Sequence, residues 1–382
     1  MPRKPRSPAL DSLLASMEAV PDPRVAARSW HPLVNVLTMA FLGVICGCDG
    51  WEALELYAES HAEWLATFLD MPHGPPSADT FRRVFEALDP GVFQDAFRRW
   101  LKPLLENLEG QTICMDGKTL RGALSHAARS GGAFHLMHVW AGGLRLLLGQ
   151  KAVEGAGGEV DAALELLAML DLRGATVTAD ANSCTASVTN AVRDRGGDFV
   201  LALKGNRAAL HEHVEQLFAK ARETGFEHIK AHCTDDVAHG RIEFRQVRAI
   251  PMGKLPPHIK ADWRDLNTAV LVERVRTTDH TSLELAYYVT SHRPDPELLA
   301  GHIRGHWSIE NQLHHSLDVS FADDRRSIRH DNGAQNFALL ARHALSLFKR
   351  EPAKLSVAMK RRKAAWSGNY VLDLLKCGFA EV

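Results

Sequence analysis

The sequence predicts a mixed α/β protein (an α+β mixed sheet) in which an all-helical stretch precedes a sheet with helices laid on it. Three observations carry this. Up to about residue 105, apolar residues recur at the three-and-four spacing of amphipathic helices. From Thr112 the pattern changes to short apolar or alternating runs, and from Asp295 helical spacing returns. Hydrophobic residues make up 46% and charged residues 24% of the 382 residues, the balance of a folded chain rather than a disordered one.

The first region, residues 1–105, reads as a compact helical module. Its apolar run Leu33–Cys48 contains Asn35 and ends in a Gly/Cys/Asp cluster. A bilayer span needs ~20 residues, so this shorter run reads as a buried helix. The N-terminal MPRKPRSPAL has basic residues but no apolar core behind them, so it does not read as a secretory signal, and a cytoplasmic location is expected. Residues 51–69 continue the helical spacing. In residues 71–89 a Pro/Gly loop precedes another helix, with Ser77 or Asp79 as its cap.

The second region, 106–350, opens with a strand at Thr112–Asp116. Runs at 134–141 and 144–153 flank Gly142-Gly143, a hairpin signal. A helix over 160–172 leads into a strand at 175–180, a helix over 184–195 and a strand at 198–204. Three strands, helix, strand, helix, strand is the order of an RNase H-like core. Residues 206–222 read as a helix and 226–291 as strands, so 206–292 is a β-rich insertion. Helical spacing then runs from Asp295 through Leu317 and again over 333–350. Residues 351–382 form a basic C-terminal tail holding Lys360-Arg361-Arg362-Lys363. The six cysteines form no CxxC, which suits a reducing compartment. With 45 basic against 46 acidic residues the net charge is −1, so a nucleic-acid partner would have to meet a local patch.

Three constellations can carry chemistry. Asp116 closes an apolar strand and is followed by Gly117, Lys118 and Arg121. Asp180 closes another. Each alone reads as a turn or helix cap. As a pair on one sheet, aimed by the backbone, they suit a hard cation such as Mg²⁺. In the third, Trp307, Glu310 and His314 fall at steps of three and four on a helix, among Arg304 and Asn311, poor company for plain amphipathic packing. Two aspartates and a glutamate can hold two divalent ions about 4 Å apart for phosphoryl transfer. His302 and His306 are the best zinc-like pair, but the chain has no HExxH, no paired Cys/His set and no phosphate-binding P-loop.

The segments MDGKTLRGA, TADANSCTA, GGDFVLALKGNR, HGRIEFR and RGHWSIENQLHHSLDVSFADDRRSIRHDNGAQNFALLARHAL occur in that order. Together they resemble the H-repeat-associated family of bacterial insertion-sequence transposases, of the DDE class with an RNase H-like catalytic core. The stretch HPLVNVLTMAFLGVICGCDGWEALELYAE with GPPSADTFRRVFEALDP resembles the helical domain that accompanies it, so the likeness spans about residues 20–350. It implies a DNA transposase that binds terminal inverted repeats, cleaves phosphodiester bonds at the element ends and joins 3′-hydroxyls to target DNA. The implied catalytic and metal-ligating triad is Asp116, Asp180 and Glu310, holding two Mg²⁺ ions, with Mn²⁺ as a substitute. The implied partners are double-stranded DNA and a second copy of the chain, beside the bacterial nucleoid. Candidate DNA contacts are Lys118, Arg121, Lys204, Asn206, Arg241, Arg304, Trp307, Asn311 and His314, with Trp307 placed to stack on an unpaired base. The chain departs from the family at Thr185 (usually Gln), His315 (usually Trp) and Ser327 (usually Arg), none a metal ligand. These departures keep open a second reading, a catalytically decayed or domesticated sequence-specific DNA-binding protein. A third is a nuclease that cuts without joining.

Overall fold

The computed structural model describes residues 7–25, 29–121, 134–155, 157–238, 241–253, 255–277, 280–326, 328 and 330–378. The chain forms two compact units. One comprises Leu108–Asp116 and Ala156–Ile309, the other Met1–Asn107, Gly117–Gly155 and Glu310–Val382. Among the described residues there are nine strands: β1 Thr112–Leu120, β2 Phe134–Ala141, β3 Leu146–Ala152, β4 Thr176–Ala179, β5 Asp198–Leu203, β6 Ala231–Ala238, β7 Arg241–Pro251, β8 Thr268–Thr277 and β9 Thr281–Thr290. The fold is mixed α/β, and the chain order β1, β2, β3, helix, β4, helix, β5 is the RNase H-like order that the sequence pattern predicts.

In the first of these units the strands lie in the order β1-β4-β5-β9-β8-β7-β6. The pairs β1–β4 and β4–β5 are parallel, and β5–β9 and the rest are antiparallel. All four residues of β4 are buried, as a strand between parallel neighbours must be. The helix Ala186–Asp194 links β4 to β5. Thr185, the departure from the family's usual Gln, is its N-cap, its hydroxyl accepting from Val188 N, and Gly196 supplies the left-handed turn (φ +77°) beyond its end. The strand-rich stretch expected after residue 206 is the helix Ala208–Glu223 followed by the antiparallel strands β6 to β9. Val247, Ala249, Val270 and Val272 pack against Leu299 and Ile303 of the helix Pro296–Ser308. Asp295 caps that helix by accepting from Glu297 N and Leu298 N, which is why helical spacing resumes there.

In the other unit the helix Leu33–Cys46 is a core helix: Val36, Leu37, Phe41, Val44 and Ile45 have no exposed surface. Among the described residues no single helix is long and apolar enough to cross a membrane. Ser77, not Asp79, caps the helix Ala78–Ala87. The helix Asp331–Arg350 joins this core. Phe337 meets Trp51 edge-on at 5.2 Å, His343 stacks on Phe97 at 4.1 Å, and Asn336 Nδ2 donates to the carbonyls of Phe85 and Leu88. Deep inside, Arg342 Nη2 pairs with Asp323 at 3.0 Å and its Nε donates to His138 Nε2 of the β2–β3 hairpin, while Arg326 also pairs with Asp323.

Residues beyond 351 form two helices, Val357–Trp366 and Gly368–Lys376, capped by Ser356 and Ser367. Half of the basic run Lys360–Lys363 is turned inward. Lys360 donates to the carbonyls of Phe348 and Glu351, and Arg361 donates to those of Ser320 and Val44 while lying over the Phe321 ring. Arg362 and Lys363 remain exposed.

Candidate active site

β1 is longer than its apolar run predicts. Asp116 is not its last residue; the strand continues through Gly117 to Leu120. Its hydrogen-bonded neighbour on that side is β2, which carries His135, eighteen residues on from Gly117. His135 lies so close over Gly117 that a Cβ there would fall on its Nε2, and His135 Nδ1 bonds Thr119 Oγ1 at 3.0 Å. The Asp-Gly pair that reads as a turn is therefore a strand passing beneath a ring.

Asp116 nevertheless stands where pairing with β4 ends. The parallel register runs Thr112↔Thr176 to Met115↔Ala179, and the next residue on each strand is Asp116 and Asp180. Neighbouring strands are about 4.8 Å apart, so the two aspartates leave the paired stretch from adjacent backbone positions. Met115 and Ala179, directly behind them, are 1% and 3% exposed, while both aspartates are half-buried. Asp180 Oδ1 accepts from the backbone N–H groups of Asn182 (3.1 Å) and Ser183 (3.2 Å), which fixes the carboxylate; its Oδ2 takes neither bond. Two oxygen donors with a dry floor and an open side fit a hard divalent cation that completes its shell with water and phosphate oxygens. Among the described residues no three His, Cys, Asp or Glu side chains form a ready metal cage.

A seam of threonine–histidine bonds holds the helix Pro296–Ser308 on these two strands. Thr112 Oγ1 meets His302 Nδ1 at 2.9 Å, Thr178 Oγ1 meets His306 Nδ1 at 3.0 Å, and Thr176 Oγ1 meets His292 Nε2 at 2.9 Å. Cys114 Sγ donates to Gly305 O, and Ser308 Oγ is 3.5 Å from the same sulfur. Gly305 permits the approach, since a Cβ there would come within 3.2 Å of Thr112 Cγ2. Burial, with the facing His292, pushes His302 down to about 4, and burial lowers His306 against the opposing pull of Asp180. His302 and His306 are thus neutral hydrogen-bonding groups of the seam, each tied through Nδ1 to a different threonine.

Glu310 follows Ser308 by two residues and is exposed. It sits in a π-helical turn, Ile309–His314, where the predicted continuous α-helix is interrupted. The i→i+5 bonds of such a turn break the three-and-four stacking that would put Trp307, Glu310 and His314 on one face. Trp307 lies beneath two guanidinium groups, Arg274 at 5.0 Å and Arg245 at 5.7 Å. His314 packs edge-on against His138 at 5.2 Å, and burial, then Arg342, pushes it down to about 3; it is a neutral packing residue, not a cation for phosphate.

The remaining candidates divide by their partners. Lys118 is largely covered and pairs with Asp318 at 2.7 Å, and Arg121 is exposed with Asp324 at 3.8 Å. Arg304 pairs with Asp236 at 2.8 Å and is 59% exposed. Lys204 and Asn311 are exposed. Asn206 is tied by its Nδ2 to Ala181 O at 2.8 Å. The side chain of Arg241 and the departure at Ser327 lie outside the described residues, and His315 is exposed. Three arginines escape sequence reasoning. Arg245 and Arg274, on neighbouring strands, cover Trp307, and Arg207 Nε donates to Cys184 O at 2.7 Å. Cross-strand register, the signal for the first two, is not readable before the strands are paired.

The order of elements is RNase H-like, with an aspartate following the last paired residue on each of β1 and β4. The chain belongs to the DDE transposases: the Transposase DDE domain model matches residues 107–347, and the DDE_Tnp_1-associated model matches residues 14–101. It is 30% identical to "Putative transposase YncI" of Escherichia coli O157:H7 over 96% of this chain and 95% of that one. It is 29% identical to "H repeat-associated putative transposase YhhI" of Escherichia coli strain K12, over 96% and 98%. Among solved structures it aligns with the piggyBac transposase of a synaptic complex with hairpin DNA, at 9% identity and a TM-score of 0.43, over 98% of this chain and 82% of that one.

Proposed function

We propose that the chain is the active transposase of an insertion sequence, acting in the bacterial cytoplasm on nucleoid DNA as a DNA-bound homodimer. It recognises the terminal inverted repeats. Water then attacks the phosphodiester at each end, leaving a 3′-hydroxyl on the element. That hydroxyl attacks a target phosphodiester, forming the new P–O bond as the target's 3′-oxygen leaves. The observation that carries this reading is the β1–β4 register with Asp116 and Asp180 at its next positions.

Asp116, Asp180 and Glu310 are the residues that would hold two Mg²⁺ ions, or Mn²⁺ in their place. Such ions, when bound, activate the attacking oxygen and stabilise the leaving one. The protein's own part is placement. The seam sets Cys114, two residues before Asp116, against Ser308. Lys204, Arg121 and Arg304 are exposed cations for phosphate oxygens, the last two after exchange from Asp324 and Asp236. Trp307 becomes a stacking surface for an unpaired base once Arg245 and Arg274 turn from its ring to phosphate.

A labelled duplex carrying the flanking inverted repeat tests this with Mg²⁺ or Mn²⁺. Nicks at the repeat boundary and joined products are expected from the natural chain, and neither from Asp180→Asn. Nicks without joined products would favour the nuclease reading. Specific binding with no cleavage in either metal would overturn the reading in favour of a decayed, DNA-binding protein.

A further inference from the structure

The turn after β5 does more than connect it to the helix Ala208–Glu223. Asn206 and Arg207 both reach back to the loop that begins at Asp180. Asn206 Nδ2 donates to Ala181 O at 2.8 Å, and Arg207 Nε donates to Cys184 O at 2.7 Å. Ala181 O also accepts from Cys184 N at 3.3 Å, so the amide closes a loop already turning on itself. Ala181, Ser183 and Cys184 are buried, and the two N–H groups that fix Asp180 Oδ1 belong to Asn182 and Ser183, between the two strapped carbonyls.

The parallel pairing of β4 with β5 explains why these residues meet. Ala179 is opposite Leu201, so both strands leave the sheet at the same edge and their following loops are neighbours. Lys204 and Asn206 are exposed and Arg207 is half-buried, yet the Asn206 amide and the Arg207 guanidinium each commit a donor to the protein's own backbone. Here they satisfy carbonyls whose positions decide where Asp180 points.

We infer that Asn206 and Arg207 are positioning residues for the Asp180 carboxylate, a strap that sets its affinity for a divalent cation. This rests on the reading of Asp180 as a metal ligand given above. Residues that orient a ligand typically change metal affinity by about 10–100-fold when removed.

The test is Mn²⁺ binding to the full chain without DNA, followed by the electron paramagnetic resonance signal of free Mn²⁺. Asn206→Leu keeps the side chain's size and removes the donor. Arg207→Lys keeps the charge and loses the fixed guanidinium. Each is expected to weaken Mn²⁺ binding about tenfold, and Asn206→Gln to recover part of it. Hydrogen exchange should quicken at the amides of Asn182 and Ser183, with the rest of the chain as protected as before. Unchanged Mn²⁺ affinity in a folded Asn206→Leu or Arg207→Lys overturns the strap while leaving the ligand reading in place. If the natural chain takes up no Mn²⁺, or Asp180→Asn takes up as much, the ligand reading fails and the strap falls with it. Should Asn206→Leu not fold, Arg207→Lys decides the matter by the same readout.

Discussion

The two compact units anchor their principal helices by opposite means. In the unit containing β4, the helix Pro296–Ser308 is fastened to the strands by neutral threonine–histidine bonds. In the other, the helix Asp331–Arg350 is fastened through buried charge. Burial raises the Asp323 carboxyl, but Arg342 and Arg326 outweigh it and hold the group below its ordinary value. Neutral pairs cost little to desolvate and tolerate loss of a member. A buried ion that loses its partner is left with its whole desolvation cost. The seam that sets the candidate site is thus the adjustable one, and the charge network is what the other unit cannot do without.

The largest effect expected from this contrast follows Arg342→Met. It strands Asp323 with Arg326 alone in a fully buried site, and about 3–5 kcal/mol of stability should be lost. Urea unfolding measures it, and a loss below about 1 kcal/mol would break the contrast. Next, Gly117→Val forces the His135 ring off β1 and should cost about 1–3 kcal/mol as an overpacking change. Its unfolding curve would show β1 to be a turn after all if stability were unchanged. Thr178→Val removes one seam bond and should cost about 1 kcal/mol.

The seam also has a pH signature. His302 titrates at about 4 when folded and near its ordinary 6.5 when unfolded, so the unfolded chain binds the extra proton between those values. The contribution of neutral His302 is therefore complete above pH ~6.5 and is lost as pH falls toward 4. His314 and His343, pushed down to about 3 by burial, add a slope of the same sign that extends lower. His302→Gln should flatten the stability profile between pH 6.5 and 4 without altering it below 4. An unchanged slope would remove His302 from the seam. The smallest effect expected is that of Lys118→Gln, whose partly exposed pair with Asp318 is worth about 0.2–1 kcal/mol in thermal unfolding.

What the sequence makes legible follows the range of the interactions involved. Local signals read correctly: Ser77 as one of two candidate caps, helical spacing from Asp295, Gly142-Gly143 as a hairpin, Asp180 as the residue closing its strand. Asp116 could be found as a carboxylate on an apolar strand. That β1 runs on past it goes with its pairing to β2, and no local pattern carries that pairing. The run Lys360–Lys363 looks like a solvated charge cluster until the helix packs and puts Lys360 against the end of the preceding helix. The π turn at Glu310 was likewise invisible, because its 3.6-residue pattern is that of an unbroken helix. Asn206 has the composition of a nucleic-acid contact and the geometry of a backbone strap.

Asp116 and Asp180 follow the last paired residues of β1 and β4, and the proposed function requires them to share one metal centre. Iron-directed backbone cleavage tests it most directly. Fe²⁺ in place of Mg²⁺, with ascorbate and peroxide, cuts the chain beside the bound ion. Fragments ending near residues 116 and 180, suppressed by excess Mg²⁺ and absent in Asp180→Asn, are the expected result. Cuts elsewhere, or the same cuts in Asp180→Asn, would contradict it.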